Sequence, residues 1–543
     1  MQKIWIAALL LLPACASVPI APPPVYPAEE VARAGRRVAE GCYTCLLDAR
    51  DTYDRLSTGS FRAEILPKRF EVQLLLVLRH KELAMPFEEE LARARLLAAE
   101  MPASTEAGRY LAIVDAVPPD PLGLSTRESR LFALDRTAFR AGAADELTWL
   151  EQAPLSPLIN RYLDLSLRCA DGIVPRGPDE PPLVPKEFPP DEPSLLTYIA
   201  GTCGGRVDMI RFEVVRTQVP EFHEASYFLS RDWFNDALTN GTEKWAAAIE
   251  QIQPLFPRSS SVSITAGMIE QADGDCVEAL RFYGHTLVLR PQHEHAMLGR
   301  VMCLTHLDRS EEAIAGATTL IAAGGDTLRL AHYWRAWNRH HLGRLPSARE
   351  DIDAARAGRG RLDLESRANI HLLAGIIEHD QDDLASALTD LETAFELSQG
   401  KVCVAPWYMA LVHIKQGAWP KSAVSFETAM NCHADAVVAA RRGLANLQAR
   451  TEIEPLFRAR RIVTLEKAIV DGERQRYASA MNAAKSFANA GDDVTSVRLA
   501  VIAMADPTLA PEVEVLRGYL AERGTTLPLP AGASEAPQPA TVP

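Results

Sequence analysis

Positive charge is scarce in this 543-residue chain, with 57 Lys and Arg against 71 Asp and Glu and a formal net charge of −14. A nucleic-acid partner requires a basic face that displaces counterions, so the balance argues against nucleic acid and against a polybasic membrane patch. A basic stripe can hide in an acidic total, and Phe457–Arg461, reading FRARR, is a candidate, although the solvated face of a helix is the expectation there. Long apolar runs are missing as well. Past the first dozen residues nothing approaches the roughly 18 consecutive apolar residues of a membrane span. Period-two alternation of β-branched residues is scarce, and the hairpin dipeptide Asn240-Gly241 falls between helical patterns, so the chain reads as all-α. Catalytic signatures are lacking too. There is no Gly-x-Ser-x-Gly, no Gly-Lys-Ser/Thr and no His-Glu-x-x-His. The glycines of AGTCGGR around Cys203 lack the strand and the lysine of a phosphate loop and read as a turn. No catalytic residue, cofactor-binding residue or metal-ligand set is therefore expected.

What is present begins at the N-terminus. Lys3 precedes the apolar run Ile4–Leu12, too short to cross a bilayer, and Leu12-Pro13-Ala14-Cys15 follows at once. This layout resembles a bacterial lipobox, which implies acylation of Cys15 and, with Ala16 next to it, an outer-membrane lipoprotein. The alternative is ordinary signal-peptide cleavage around Ala14-Cys15-Ala16, giving a soluble periplasmic or secreted protein. Proline-rich residues 16–28 read as a tether, 174–193 as a proline-rich excursion, and 524–543 as a disordered tail with little to bury.

Between these segments the helical pattern repeats. Trp245, Ala279 and Ala313 mark similar segments 34 residues apart. In the copy from Ser260 to Gln292, Gly267 sits where two helices must approach closely. Gly274 closes the turn between them, Ala279 is the small residue of the second helix, Tyr283 follows as an aromatic wedge and Pro291 stops the helix. Looser copies carry Ala336, Gly343, Ala348, Ile352 and Ala355; then Gly375, Ala387, Leu391 and Ala394; then Ala410, Gly417, Ser422, Phe426 and Ala429. A weak last match is Ala484, Gly491, Ser496, Ala500 and Ala503. These residues resemble the tetratricopeptide repeat. The resemblance implies a right-handed superhelical solenoid of antiparallel helix pairs, with the first helix of each pair lining a concave groove that takes a protein or peptide segment. The expected organisation is a helical N-terminal region over 29–225, a solenoid over 226–435 and C-terminal helices with a weak repeat over 436–523.

Cysteines and histidines are the remaining candidates for chemistry. Apart from Cys15 there are eight cysteines. Cys42 and Cys45 form a Cys-x-x-Cys pair without the histidine of a haem site, read as structural cysteines or a local disulfide in preference to a redox or metal role. In the repeat framework, Cys276 with Cys303 and Cys403 with Cys432 fall at helix ends that antiparallel packing brings together. Cys169 and Cys203 flank the excursion. All three pairs are candidate disulfides, with buried free thiols as the alternative. His332, His340, His341, His371 and His379 gather in two units, but adjacent His340 and His341 point to different helix faces, so helix-surface histidines are expected. Trp334 and Trp337, three apart, read as core. The expected function is a non-enzymatic protein-binding scaffold of the cell envelope. The alternatives are an enzyme or enzyme accessory with its site in the N-terminal helices, or a periplasmic solute or glycan binder.

Overall fold

A computed structural model describes residues 26–57, 61–102, 104–117, 145–171, 192–201, 209–228, 249, 252–325, 327–358, 362–449 and 455–528. Cys15, Cys203, Trp245, the side chain of Cys169, most of the tether, the excursion before Glu192 and the tail past Pro528 lie outside these residues. Among the described residues all regular structure is helical. No helix among the described residues is long and apolar enough to cross a membrane.

The N-terminal region is a ring of helices around one buried rod. It runs α1 (Ala28–Glu40), α2 (Tyr43–Leu56), α3 (Arg62–Glu82), α4 (Glu88–Glu100), α5 (Ser104–Ala116), α6 (Pro157–Asp171), α7 (Ser194–Gly201) and α8 (Met209–Gln218). Successive helices pack on one another, and α7 returns to pack on α1, which closes the ring. At the centre, every α3 residue from Val72 to Glu82 is buried, apolar and charged alike. Gly41 ends α1 in the left-handed region with φ of 78°. A side chain there would also collide with Leu195 of α7, so both turn and packing demand glycine.

The solenoid continues from the same core, which extends from Ala34 to Phe282 without a break. At the junction Ser259 accepts the N–H of Val262 at 3.1 Å to cap the next helix, and its hydroxyl donates to the carbonyl of Leu83. Helix pairs then follow: α9 (Ser260–Ala272) with α10 (Cys276–Leu289), α11 (Glu294–His306) with α12 (Ser310–Ala323), α13 (Leu328–His341) with α14 (Leu345–Ala357), and α15 (Leu364–Asp380) with α16 (Leu384–Leu397). The fifth pair is α17 (Val404–Lys415) with the start of α18 (Trp419–Ala449). Each turn within a pair passes through one residue in the left-handed region: Gly274, Asp308, Gly343, Asp382 and Gly417, with φ of 87°, 56°, 72°, 62° and 69°. Aspartate fills the place in two pairs because its short polar side chain tolerates this conformation better than most.

Tyr283 shows how neighbouring pairs lock. It is buried and lies between Gly267 of its own pair and Gly299 of the next. A Cβ at Gly267 would sit 2.8 Å from its ring, and one at Gly299 closer still. Its hydroxyl donates to Gln271 at 2.6 Å. The first helix of each pair also packs on the first helix of the next, whereas the second helices make no comparable contact with each other. Closer spacing on one side bends the stack, so α9, α11, α13, α15 and α17 line its inner wall.

The end of the chain departs from the expected repeat. Cys432 does not end a helix. α18 runs on for 31 residues in all, and α19 (Pro455–Ala490) returns over 36 residues, so the two project as a long antiparallel hairpin. Only the last part of α19 rejoins the solenoid, packing Ala480, Met481 and Ala484 with Phe426, α20 (Asp493–Ala503) and α21 (Ala510–Glu522). Composition alone gives the tail little to bury from Gly524 onward, yet Leu527 is buried in this last core and Arg517 donates to the carbonyl of Pro528 at 3.0 Å.

Candidate binding face

The inner wall carries a repeating set of side chains fixed by the packing behind it. The small or close-packed positions Gly267, Val301, Ala336, Gly375 and Ala410 face the partner helix of each pair, so the residue after each one turns toward the wall. These are Met268, Met302, Trp337, Ile376 and Leu411; Met268, Met302 and Leu411 are half-buried and Trp337 is exposed, whereas Ile376 is buried, so the accessible apolar row is interrupted at α15. Trp337 is 38% exposed. This corrects its reading as a core residue: Tyr333 and Trp334 fill the core side, and Trp337 is left on the open face.

Beside the apolar row runs a polar one, placed four or five residues beyond each small position: Gln271, Thr305 with His306, His340 with His341, His379 with Asp380, and Lys415. Contacts between neighbouring helices tie this row together. Asn338 Nδ2 donates to Thr305 Oγ1 at 2.7 Å, and Lys415 Nζ donates to the carbonyl of His379 at 2.8 Å. Asp380 sits between two imidazoles, 2.7 Å from His340 Nε2 and 2.8 Å from His379 Nδ1. Partial burial pushes the Asp380 carboxyl up, but the hydrogen bonds from both histidines outweigh it and hold the group below the usual carboxylate range. The histidines thus serve as hydrogen-bonding groups at the rim of the wall.

Behind the wall, two successive pairs bury the same polar device. His332 of α13 meets Asp351 of α14 at 3.1 Å, and His371 of α15 meets Asp390 of α16 at 2.8 Å, both across 19 residues. Asp351 also receives Arg335 at 2.6 Å and Arg339 at 2.7 Å. Asp390 receives Arg356 at 3.0 Å, and Arg356 and Arg349 reach from α14 to buried Glu378 at 3.4 and 3.1 Å. Burial and the neighbouring Asp390 carboxylate push Glu378 up to about 7 despite the two guanidinium groups.

The N-terminal ring holds a second charged cluster, whose members are all buried. Arg79 is fully buried, lies 3.3 Å from Glu82 and 3.6 Å from Glu224, stacks over Tyr198 at 4.0 Å and donates to the carbonyl of Gly41 at 2.8 Å. Tyr162 donates to Glu82 at 2.6 Å, and Glu224 accepts the N–H of Tyr43 at 2.6 Å. Burial pushes the Glu224 carboxyl up while Arg79 pulls it down. Nearby, Lys81 caps the end of α5 with hydrogen bonds of 2.9, 3.0 and 2.9 Å to the carbonyls of Val114, Asp115 and Val117. These groups join α1, α2, α3, α6, α7 and the segment before the solenoid, so their role is to fix the ring. A cleft of about 450 Å³ in this region is lined by Leu150, Asn160, Arg161 and Asp164 and does not include the cluster.

The cysteines divide into two kinds. Cys42 and Cys45 are joined by a disulfide, as are Cys403 and Cys432. Cys276 and Cys303 are not bridged. Both are buried free thiols in one apolar cluster with Tyr283, and burial pushes the Cys303 thiol up, followed by its hydrogen bond with Cys276. A raised thiol has little thiolate to begin the exchange that would bridge them. Ligand atoms of Cys42, Cys45 and Glu221 lie within 4.8 Å of one another. The sulfurs there are paired with each other and are not thiolates, both cysteines are fully buried, and Glu221 is held by Arg37 at 2.9 Å, so the trio does not fit a metal as it stands.

No known family profile and no curated protein matches the chain. The fold has solved counterparts. A crystal structure of PilW, a widely conserved type IV pilus biogenesis factor, is 14% identical with a TM-score of 0.35, covering 47% of this chain and 97% of that one. A tetratricopeptide repeat protein from Parabacteroides merdae is 14% identical with a TM-score of 0.33, covering 55% and 99%. YrrB, a tetratricopeptide protein with an unusual peptide-binding site, is 15% identical with a TM-score of 0.28, covering 36% and 98%. The solenoid is of the tetratricopeptide type. That statement stands on the paired helices, left-handed turns and wedged Tyr283 described above; similarity this low says nothing of what the chain does.

Proposed function

We propose that the chain is a non-enzymatic scaffold that holds a segment of a partner protein along the inner wall of its solenoid. The observation that carries this reading is the apolar row of Met268, Met302, Trp337 and Leu411, interrupted only at buried Ile376 and flanked by hydrogen-bonding His306, His340, His379 and Asp380. An apolar strip with polar edges suits a helix or extended segment that presents apolar side chains at regular intervals, and Trp and Met are adaptable anchors for it. The wall stays in shape because the buried Asp351 and Asp390 networks brace two of the pairs from behind.

The lipobox-like Leu12–Cys15 supports placement at the cell envelope, with acyl chains on Cys15 as the anchor and outer-membrane sorting from Ala16. Envelope assembly, secretion or polysaccharide export are the processes in which such a tethered scaffold would act. Crosslinking pull-down from envelope fractions, comparing wild type with a Met302→Glu, Trp337→Ala double variant, tests the groove. A protein partner lost in the variant supports the reading, and a partner set that is unchanged removes its main support. Cys15→Ala tests the anchor separately, since a lipoprotein loses its membrane fraction and a protein cleaved by ordinary signal peptidase does not.

A further inference from the structure

The α18–α19 hairpin extends past the solenoid as a two-helix arm with little to hold it. In the stretch 433–478 only Val437 and Leu447 are buried among the described residues. The pair zips in one register: Val437 lies against Gly472, Gly443 beside Leu465, and Leu447 with Ile462 and Leu465. Taking α18 beyond Cys432 as free, the arm is about 25 Å long at 1.5 Å per residue. Two helices alone cover one seam and leave their other faces to water.

Its charge is opposite to that of the whole chain. Residues 436–478 carry nine Lys or Arg and five Asp or Glu, within a chain whose net charge is −14. Arg441 pairs with Glu473, and Arg474 lies 3.9 Å from Asp471. Arg442, Arg461 and Lys467 have no acidic partner among the described residues. On α19, Val463, Lys467, Val470 and Arg474 are all exposed, the two valines at 63% and 54%, and they follow one another by four, three and four residues. That spacing makes one stripe on the side of α19 turned away from α18, alternately apolar and basic, with the period of a coiled-coil seam. The FRARR segment, for which sequence alone implies only a solvated face, opens this helix.

We propose that the arm is a second docking element, whose α19 stripe receives an acidic amphipathic helix from a partner protein on the side opposite α18. Alternate valines would pack as knobs, and carboxylates of the partner would meet Lys467 and Arg474. A second copy of the same arm is disfavoured, because it would bring like charges together. An anionic membrane surface is the weaker alternative. The exposed apolar residues here are valines mixed with cations on one stripe, whereas interfacial helices carry large apolar side chains on a face of their own. The arm and the inner wall are separate surfaces, so this inference does not depend on the groove.

The test uses the full chain and a fluorescent synthetic peptide of three heptads, with Val and Leu at the seam positions and Glu flanking them. The expected result is saturable binding that weakens at least tenfold in the Lys467→Glu, Arg474→Glu variant and at high salt. A peptide with Lys in place of Glu should not bind, and Trp337→Ala should leave binding unchanged. The substituted residues are exposed, so unchanged helicity by circular dichroism will show that the variant is folded. No binding of the acidic peptide, equal binding of the lysine peptide, or binding unaffected by the charge reversals overturns the proposal. Sedimentation with phosphatidylglycerol vesicles that is abolished by the same variant, in the absence of peptide binding, assigns the arm to a membrane surface instead.

Discussion

Replacing Glu378 with glutamine should make the solenoid more stable at alkaline pH, the reverse of what removing a buried partner of two arginines would suggest. Glu378 is 1% exposed and lies near Arg349 and Arg356, yet burial and Asp390 raise it to about 7, against an unfolded value near 4.5. A carboxyl raised in the folded state binds more protons there than in the unfolded chain, so stability is greatest at low pH and falls as pH rises from the unfolded toward the folded value. Between pH 5 and pH 8 this group costs the folded state on the order of 2–3 kcal/mol, taking about 1.4 kcal/mol per unit. Asp390 is shifted down and shares a hydrogen bond with Glu378, so the two carboxyls titrate as one pair whose second proton is lost in this window. A glutamine in its place cannot ionise. The ratio of exchange rates of wild type to variant should therefore rise by one to two orders of magnitude from pH 5 to pH 8. Hydrogen exchange of amides in α15, measured for both proteins at each pH, reads this directly and cancels the intrinsic pH dependence. A ratio that stays constant, or that falls with pH, would refute the reasoning.

The remaining predictions concern packing and covalent links. Gly299→Val forces a side chain into the ring of Tyr283 and should cost about 1–3 kcal/mol, measured by urea denaturation, while Gly284→Ala on the open side of α10 should be nearly neutral. Arg79→Met leaves Glu82 and Glu224 buried without their cation and should cost about 3–5 kcal/mol, with the loss concentrated in the N-terminal ring by limited proteolysis. Cys403 and Cys432 close a loop of 29 residues, and replacing both with alanine should destabilise the α16–α18 region by about 2–4 kcal/mol. Cys276 and Cys303 should react with a thiol reagent only after unfolding, whereas mass spectrometry that finds them bridged in the native protein would contradict their assignment as free thiols.

Much of the solenoid was legible because its constraints are steric. Gly267 and Gly274 have narrow requirements, close approach and a positive φ, that few other residues meet, and the structure places both where the repeat implied. The turns at Asp308 and Asp382 were missed because aspartate is common on exposed helices and signals a left-handed position only weakly. Gly299 was missed because it lies inside a helix and off the phase of Gly267, and its need for space arises from the neighbouring pair. The long arm had a signal that small-residue matching hid: between Pro420 and Pro455 the only glycine is Gly443, so nothing stops the helix at Cys432. Least legible was the ring. Arg79, His80, Lys81 and Glu82 carry no motif that marks them for the interior, yet all four are buried, because partners for this stretch come from α1, α5, α6 and α7, far away in sequence.

Of the binding face, the histidines were singled out without a role, and Trp337 was assigned to the core. Exposure of one face of α13 depends on curvature, which comes from contacts between first helices and is not written in any single repeat.

Site-specific photo-crosslinking in cells tests the central claim most directly. A photoreactive residue at Met302 or at Trp337 faces the inner wall, and one at Val288, 78% exposed on the second helix of its pair, faces away. The account predicts the same discrete protein adduct from both inner positions and none from Val288. Adducts from Val288 with none from Met302 or Trp337 would contradict it.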